Sequence, residues 1–220
     1  MDAQMAFDGI VHCGIMTAIR GKFPPPAALQ LAETLLENGL NIFEFTMNSV
    51  QPLEAMQATK HRYGDDAVVG MGTVLDADMA KLAIDAGADF IVSPSFSRDV
   101  VEMAQDAGVM VAPGVITPTE VVDAWAMGIK MLKIFPIGAL GVEYFKAVRG
   151  PLDHIPFCCN GAMDDSNVGA FIKAGAVACG VGGWLTGDGT TPLETTARRA
   201  RNLREIVDAA RNKQPVPIRA

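Results

Sequence analysis

The stretch Asp85-Ala86-Gly87-Ala88-Asp89-Phe90-Ile91-Val92 sets a glycine between a helix-period segment and a short apolar run. The same order returns along the chain. Asn38-Gly39-Leu40 leads into Asn41-Ile42-Phe43, and Ala107-Gly108-Val109 into Met110-Val111. Met127-Gly128-Ile129 leads into Lys130-Met131-Leu132, and Ala174-Gly175-Ala176 into Val177-Ala178-Cys179. Glycine adopts at low cost the left-handed backbone that ends a helix. The β-branched and apolar run after it reads as a strand. A unit repeated in this way marks a chain of βα repeats.

Working outward from these joints, strands are expected near 14–20, 41–46, 67–71, 89–92, 109–112, 130–134, 156–159 and 176–181. Helices are expected near 26–38, 50–63, 77–86, 98–107, 118–127, 140–148, 164–173 and 192–212. Asp76, Ser97 and Thr117 are placed to accept from the first amides of the helices that follow, and Pro118 suits a first helical turn. Eight strand–helix units in 220 residues favour closure over an open doubly wound sheet. The expected fold is therefore α/β, a single (β/α)8 TIM barrel over residues 1–220, with a short N-terminal helix beneath it.

Half of the residues are hydrophobic, enough for one full core. The formal net charge of −7 argues against nucleic acid as a partner, since such binders carry a basic face. Val109 to Ile116 is broken by Pro113 and Gly114 and falls short of the roughly 20 residues that span a bilayer, so no membrane partner is expected. The N-terminus is acidic and lacks the apolar core of a secretory signal. Cys13, Cys158, Cys159 and Cys179 form no Cys-x-x-Cys pair, and they read as reduced thiols of a cytoplasmic protein.

Alternation places the chemistry. In Lys130-Met131-Leu132-Lys133-Ile134-Phe135-Pro136, Leu132 and Ile134 share the face that helices should cover. Lys133 then points into the lumen near the carboxyl end of its strand. A lysine snorkelling to the rim is the plain reading. A nucleophilic amine is the sharper one, favoured by the apolar neighbours and the position. In Asn41-Ile42-Phe43-Glu44-Phe45-Thr46 the phenylalanines face helices and Glu44 faces the lumen. Strands two and six lie opposite each other, so Glu44 and Lys133 can meet, as a structural ion pair or as an acid/base beside an amine.

Arg20, which ends the first strand, is suited to a two-pronged hold on a carboxylate, or is simply a solvated loop residue. Thr73 follows the third strand as a turn residue or a hydroxyl donor. Gly161, and Gly180 with Gly182 and Gly183, follow strands seven and eight, where barrels often bind phosphate through bare amides. His12, His61 and His154 have no acidic partners at ligand spacing, so no metal is expected.

Six motifs, in order and at their spacing, resemble one family. They are Phe43-Glu44-Phe45-Thr46, Gly70-Met71-Gly72-Thr73-Val74-Leu75, Ile91-Val92-Ser93-Pro94, Ala112-Pro113-Gly114-Val115, Lys133-Ile134-Phe135-Pro136 and Gly183-Trp184-Leu185. Together they resemble the 2-keto-3-deoxy-6-phosphogluconate (KDPG)/4-hydroxy-2-oxoglutarate aldolases. That resemblance implies a class I aldolase releasing pyruvate from a small-molecule 2-keto acid, with Lys133 forming the imine and Glu44 shuttling protons. It implies that Thr73 helps hold the carboxylate, that Pro94 and Phe135 shape that end of the pocket, and that the glycines take the phosphate. It also implies a homotrimer. No cofactor is needed, because an iminium is itself the electron sink.

Three departures from the family pattern fall at the substrate ends. Asn48 stands where gluconate-type members carry arginine, and Thr46-Met47-Asn48-Ser49 with Ala18-Ile19-Arg20-Gly21 looks more like the phosphogalactonate branch. With Asn48 uncharged, carboxylate binding should fall to Arg20 and Thr73. Asn160-Gly161-Ala162 replaces a paired glycine, and Gly183 replaces a serine. Two other function classes remain at this point. One is a sugar-phosphate epimerase or isomerase on the same barrel, which would need paired acids and bases or a metal. The other is a non-catalytic barrel with a residual Lys133–Glu44 ion pair. Fold alone does not separate them.

Overall fold

The computed structural model describes residues 1–212, so residues 213–220 of the expected unit lie outside the described residues. Its strands are β1 (Ile15–Ile19), β2 (Ile42–Thr46), β3 (Val68–Gly72), β4 (Phe90–Val92), β5 (Met110–Ala112), β6 (Gly114–Val115), β7 (Leu132–Ile134), β8 (Phe157–Asn160) and β9 (Ala178–Val181). All pairings are parallel, in the order β5-β4-β3-β2-β1-β9-β8-β7-β6. The two ends of that order are consecutive in the chain, separated only by Pro113. Proline has no N–H to give to a ladder. Its carbonyl still accepts from the Lys133 amide at 3.0 Å, and Ala112 accepts from Ser93 at 3.4 Å. The expected fifth strand is thus split in two, and the eight-unit barrel closes through it.

The helices are α1 (Ala3–Cys13), α2 (Pro25–Glu37), α3 (Pro52–Tyr63), α4 (Ala77–Asp85), α5 (Arg98–Asp106), α6 (Pro118–Trp125), α7 (Ile137–Arg149), α8 (Val168–Lys173), α9 (Gly183–Thr186) and α10 (Leu193–Arg211). Asp76 accepts from the Met79 amide at 2.8 Å, and Thr117 forms a reciprocal capping box with Glu120, as expected. Ser97 does not cap α5: no side-chain bond forms, and Asp99 supplies the negative group in that first turn. Gly87 and Gly175 end their helices at φ of 90° and 102°, conformations that a side chain would strain.

Three helices differ from expectation for local reasons. α7 starts at Ile137, ahead of residue 140, and is interrupted at Gly141, whose φ is 83°. α8 starts only at Val168, because Asp164 turns back to bond the Ser166 amide at 2.9 Å and Asn167 bonds the Ala162 carbonyl at 2.8 Å. Such side-chain bonds compete with helix formation. The short α9 was not expected.

Phe43, Phe45, Phe145, Phe157 and Phe171 are buried between barrel and helices, with the Phe145 and Phe157 rings edge to face at 5.9 Å. The short helix expected beneath the barrel is α1. It approaches so closely that a Cβ on Gly9 would lie 2.9 Å from Val68. Arg211 holds its end by donating to the His12 and Val11 carbonyls, both at 2.6 Å. These are the carbonyls a helix end leaves unpaired. A cleft of about 500 Å3 opens at this end, lined by His12, Cys13, Arg204 and Arg211 among others. Its arginines are committed to α1, and it lies at the opposite end of the strands from the residues described next.

Candidate active site

Lys133 lies mid-strand in β7 and Glu44 mid-strand in β2, both buried at 6% and 1% exposure. Lys133 Nζ is 3.9 Å from Glu44 Oε1 across the lumen. The two side chains thus face each other inside the barrel. The pair is not a closed salt bridge. Glu44 Oε2 is buried with no hydrogen-bond partner among the described residues. Burial pushes the Glu44 carboxyl above its ordinary range, against the smaller opposing pull of Lys133 and Arg20. A carboxyl held there exchanges protons more readily near neutrality than an exposed one does.

The lumen makes room for these groups by omitting side chains. Gly70 pairs in register with Glu44, and Gly72 with Thr46. A Cβ on Gly72 would stand 1.9 Å from Glu44 Oε1, and one on Gly70 would strike Phe90 at 2.4 Å. Both glycines are therefore part of the site's construction. The sequence showed them only as members of a motif, and their parity with Glu44 was the available signal.

Arg20 follows β1 at the mouth, exposed, with Nη2 3.5 Å from Thr73 Oγ1. Thr73 follows β3 with φ of 58°, unusual for a β-branched residue. Strained backbone of this kind clusters at ligand sites. The loop carrying Arg20 is fixed from two sides. The Gly21 amide donates to Ser49 Oγ at 3.1 Å, and Ser49 Oγ lies 2.8 Å from Thr46 Oγ1. On the other side the Lys22 amide donates to the Asp188 carbonyl at 2.9 Å. Ser49 and Asp188 escaped the sequence reading, since neither role is visible without the neighbouring loop.

The other expected residues lie at the same, carboxyl end of the strands. Asn48 is exposed in the turn after β2. Pro94 follows β4, and a Cβ on Gly114 would meet its carbonyl at 2.3 Å. Phe135 follows β7, with its ring centroid 5.1 Å from Lys133 Nζ. Gly161 follows β8 at φ of 94°, and Ala162 takes a left-handed φ of 53° that costs a residue with a Cβ some strain. Gly182 and Gly183 open α9. Beside the central pair, the Cys158 thiol is pushed up to about 12 by burial and by Glu44, with Lys133 opposing. It stays protonated at neutral pH, and all four cysteines are buried and unpaired.

Residues 14–198 match the family model described as KDPG and KHG aldolase. The chain is 32% identical over 182 residues to the 2-dehydro-3-deoxy-phosphogluconate aldolase of Haemophilus influenzae, covering 82% of this chain and 85% of that one. It is 32% identical over 188 residues to the 2-dehydro-3-deoxy-6-phosphogalactonate aldolase of Escherichia coli K12, covering 84% and 90%. A solved structure described as native KDPGal superposes with a TM-score of 0.84 at 31% identity, over 89% of this chain and 95% of that one. With the fold, the family motifs and these relatives in agreement, the chain belongs to the KDPG and KHG aldolase family and is an aldolase, a carbon–carbon lyase.

Proposed function

We propose that this aldolase works through an imine at Lys133, cleaving a 2-keto-3-deoxy-6-phospho sugar acid, 4-hydroxy-2-oxoglutarate, or both, to pyruvate and an aldehyde. The observation that carries it is the Lys133–Glu44 pair: close, buried, and left open on one carboxylate oxygen. A purely structural ion pair would satisfy both partners, because an unmatched buried oxygen costs stability. The neutral amine adds to the substrate ketone, and the carbinolamine loses water to give an iminium. The C3–C4 bond then breaks, its electron pair enters the iminium as an enamine, and Glu44 takes the proton of the 4-hydroxyl. Returning that proton to C3 and adding water releases pyruvate and the free lysine. Arg20 and Thr73 hold the carboxylate, with Asn48, Pro94 and Phe135 around them. Gly161, Gly182 and Gly183 take the far end of the substrate. We extend this reading to a homotrimer in the cytoplasm, on the family resemblance and on the four unpaired thiols.

The test is pyruvate release from 4-hydroxy-2-oxoglutarate and from a 2-keto-3-deoxy-6-phospho sugar acid. Because the iminium is the electron sink, full activity is expected after exhaustive chelation. Loss on chelation, restored by Mg2+ or Mn2+, would move the protein to another mechanistic class.

Phosphate should matter less here than in relatives with a paired glycine and a serine. Ala162 puts a methyl at the loop after β8, and Gly183 lacks a hydroxyl donor. Each charge-assisted hydrogen bond lost is worth about 1.5–3 kcal/mol. Matched phosphorylated and unphosphorylated substrates should differ in kcat/KM by less than about 10⁴-fold, or about 5.5 kcal/mol. A larger preference would mean that the phosphate site is intact.

A further inference from the structure

We propose that Ser49 is a positioning residue for substrate binding: its hydroxyl holds the backbone that carries Arg20, and so sets how tightly the site takes the carboxylate of a 2-keto acid. The inference rests on the reading of Arg20 as the carboxylate residue. Arg20 is exposed, and among the described residues its guanidinium bonds only Thr73 Oγ1, at 3.5 Å. A long side chain held by so little loses rotamer freedom when it closes on an anion. That cost falls on affinity, and it grows if the backbone beneath must be ordered as well.

The backbone beneath is ordered from the turn after β2. The Gly21 amide donates to Ser49 Oγ at 3.1 Å, and the Gly21 carbonyl accepts from the Val50 amide at 3.0 Å. Ser49 Oγ lies 2.8 Å from Thr46 Oγ1, and both hydroxyls stand 3.5 Å from the Ile19 carbonyl. One hydroxyl gives its proton to the other, which gives its own to Ile19, and Ser49 keeps a lone pair for Gly21. The residues on both sides of Arg20 are therefore tied to one pair of hydroxyls. Thr46 is fully buried at the end of β2, so the pair is anchored in the barrel wall. Gly21 itself has no latitude: its φ is 129°, and a Cβ there would stand 2.7 Å from the Asp188 carbonyl. Val50 and Asp188 reach this loop through backbone groups, which persist whatever side chain they carry. Ser49 reaches it through its side chain, so here the hold on Arg20 can be altered without rebuilding the loop.

Exchange of the pyruvate methyl hydrogens in D2O, followed by NMR on the intact protein, needs the carboxylate held and uses Lys133 and Glu44. It therefore separates KM from kcat for the smallest ligand of the site. Ser49→Ala should raise the pyruvate KM about two- to tenfold, the worth of a neutral hydrogen bond, and leave kcat unchanged. Arg20→Ala should raise KM further, and Ser49→Ala added to it should change nothing more, because the serine acts through the arginine. Thr46→Val removes the hydroxyl behind Ser49. It should move KM in the same direction, again only while Arg20 is present, and it decides the matter if Ser49→Ala does not fold. An unchanged KM in the folded variant, or the same rise with Arg20 already gone, overturns the role. A pyruvate KM unmoved by Arg20→Ala overturns the carboxylate reading of Arg20, and absence of exchange in the unsubstituted protein overturns the imine reading; either takes this inference with it.

Discussion

Lys133→Ala should lower turnover by about four orders of magnitude or more, the scale lost when a covalent nucleophile is removed. The other nearby lysines offer no substitute. Lys130 is exposed and donates to Gln4 Oε1 at 2.7 Å, and Lys146 is exposed and pairs with Glu143 at 2.7 Å. Neither points into the lumen at Glu44. The fold should survive, because alanine removes a buried amine whose ion-pair partner among the described residues is Glu44 alone. Steady-state pyruvate release beside a thermal melt checks both statements. Retention of more than about a tenth of the wild-type rate would remove Lys133 from the chemistry.

Glu44→Gln should slow both pyruvate hydrogen exchange and cleavage by about 10²–10⁴-fold, the usual yield of a positioned acid/base. Its signature lies in pH. Burial raises the Glu44 carboxyl above its ordinary range. The acid limb of kcat/KM should accordingly lie above the range of an exposed glutamate, and should vanish in Glu44→Gln. Stability carries the opposite sign from a typical ion-paired carboxylate. The folded state holds the Glu44 proton more tightly than the unfolded chain does. Its contribution is fully present below the ordinary glutamate range and is lost as pH rises through the raised value. At neutral pH the variant should therefore melt no lower than the wild type, and any advantage should shrink as pH falls. A variant that keeps its rate but melts well below the wild type would mark Glu44 as a structural partner only.

The central pair was legible because barrel strands alternate strictly and Leu132, Ile134, Phe43 and Phe45 left the helix-facing side unambiguous. The repeat was legible from its glycines for the same local reason. What escaped the reading depends on contacts between distant segments. Gly114-Val115 is too short to announce a strand, and its separation from β5 follows from the missing N–H of Pro113. α9 is four residues long and opens on glycine, so no periodicity marks it. Gly72 looks like turn punctuation until Glu44 is seen leaning over it. Asn160 stood out in the sequence only as a departure beside a phosphate loop. Its burial and its oxygen, unpaired among the described residues, appear once β8 is laid against Gly180 in β9.

The proposed chemistry rests on an imine between pyruvate and Lys133. Its most direct measurement is incubation of the intact protein with pyruvate and borohydride, followed by mass determination and peptide mapping. One reduced pyruvoyl adduct per chain is expected, on the peptide containing Lys133, and none in Lys133→Ala. No adduct in the wild type, or an adduct mapping to Lys130 or Lys146, would contradict it.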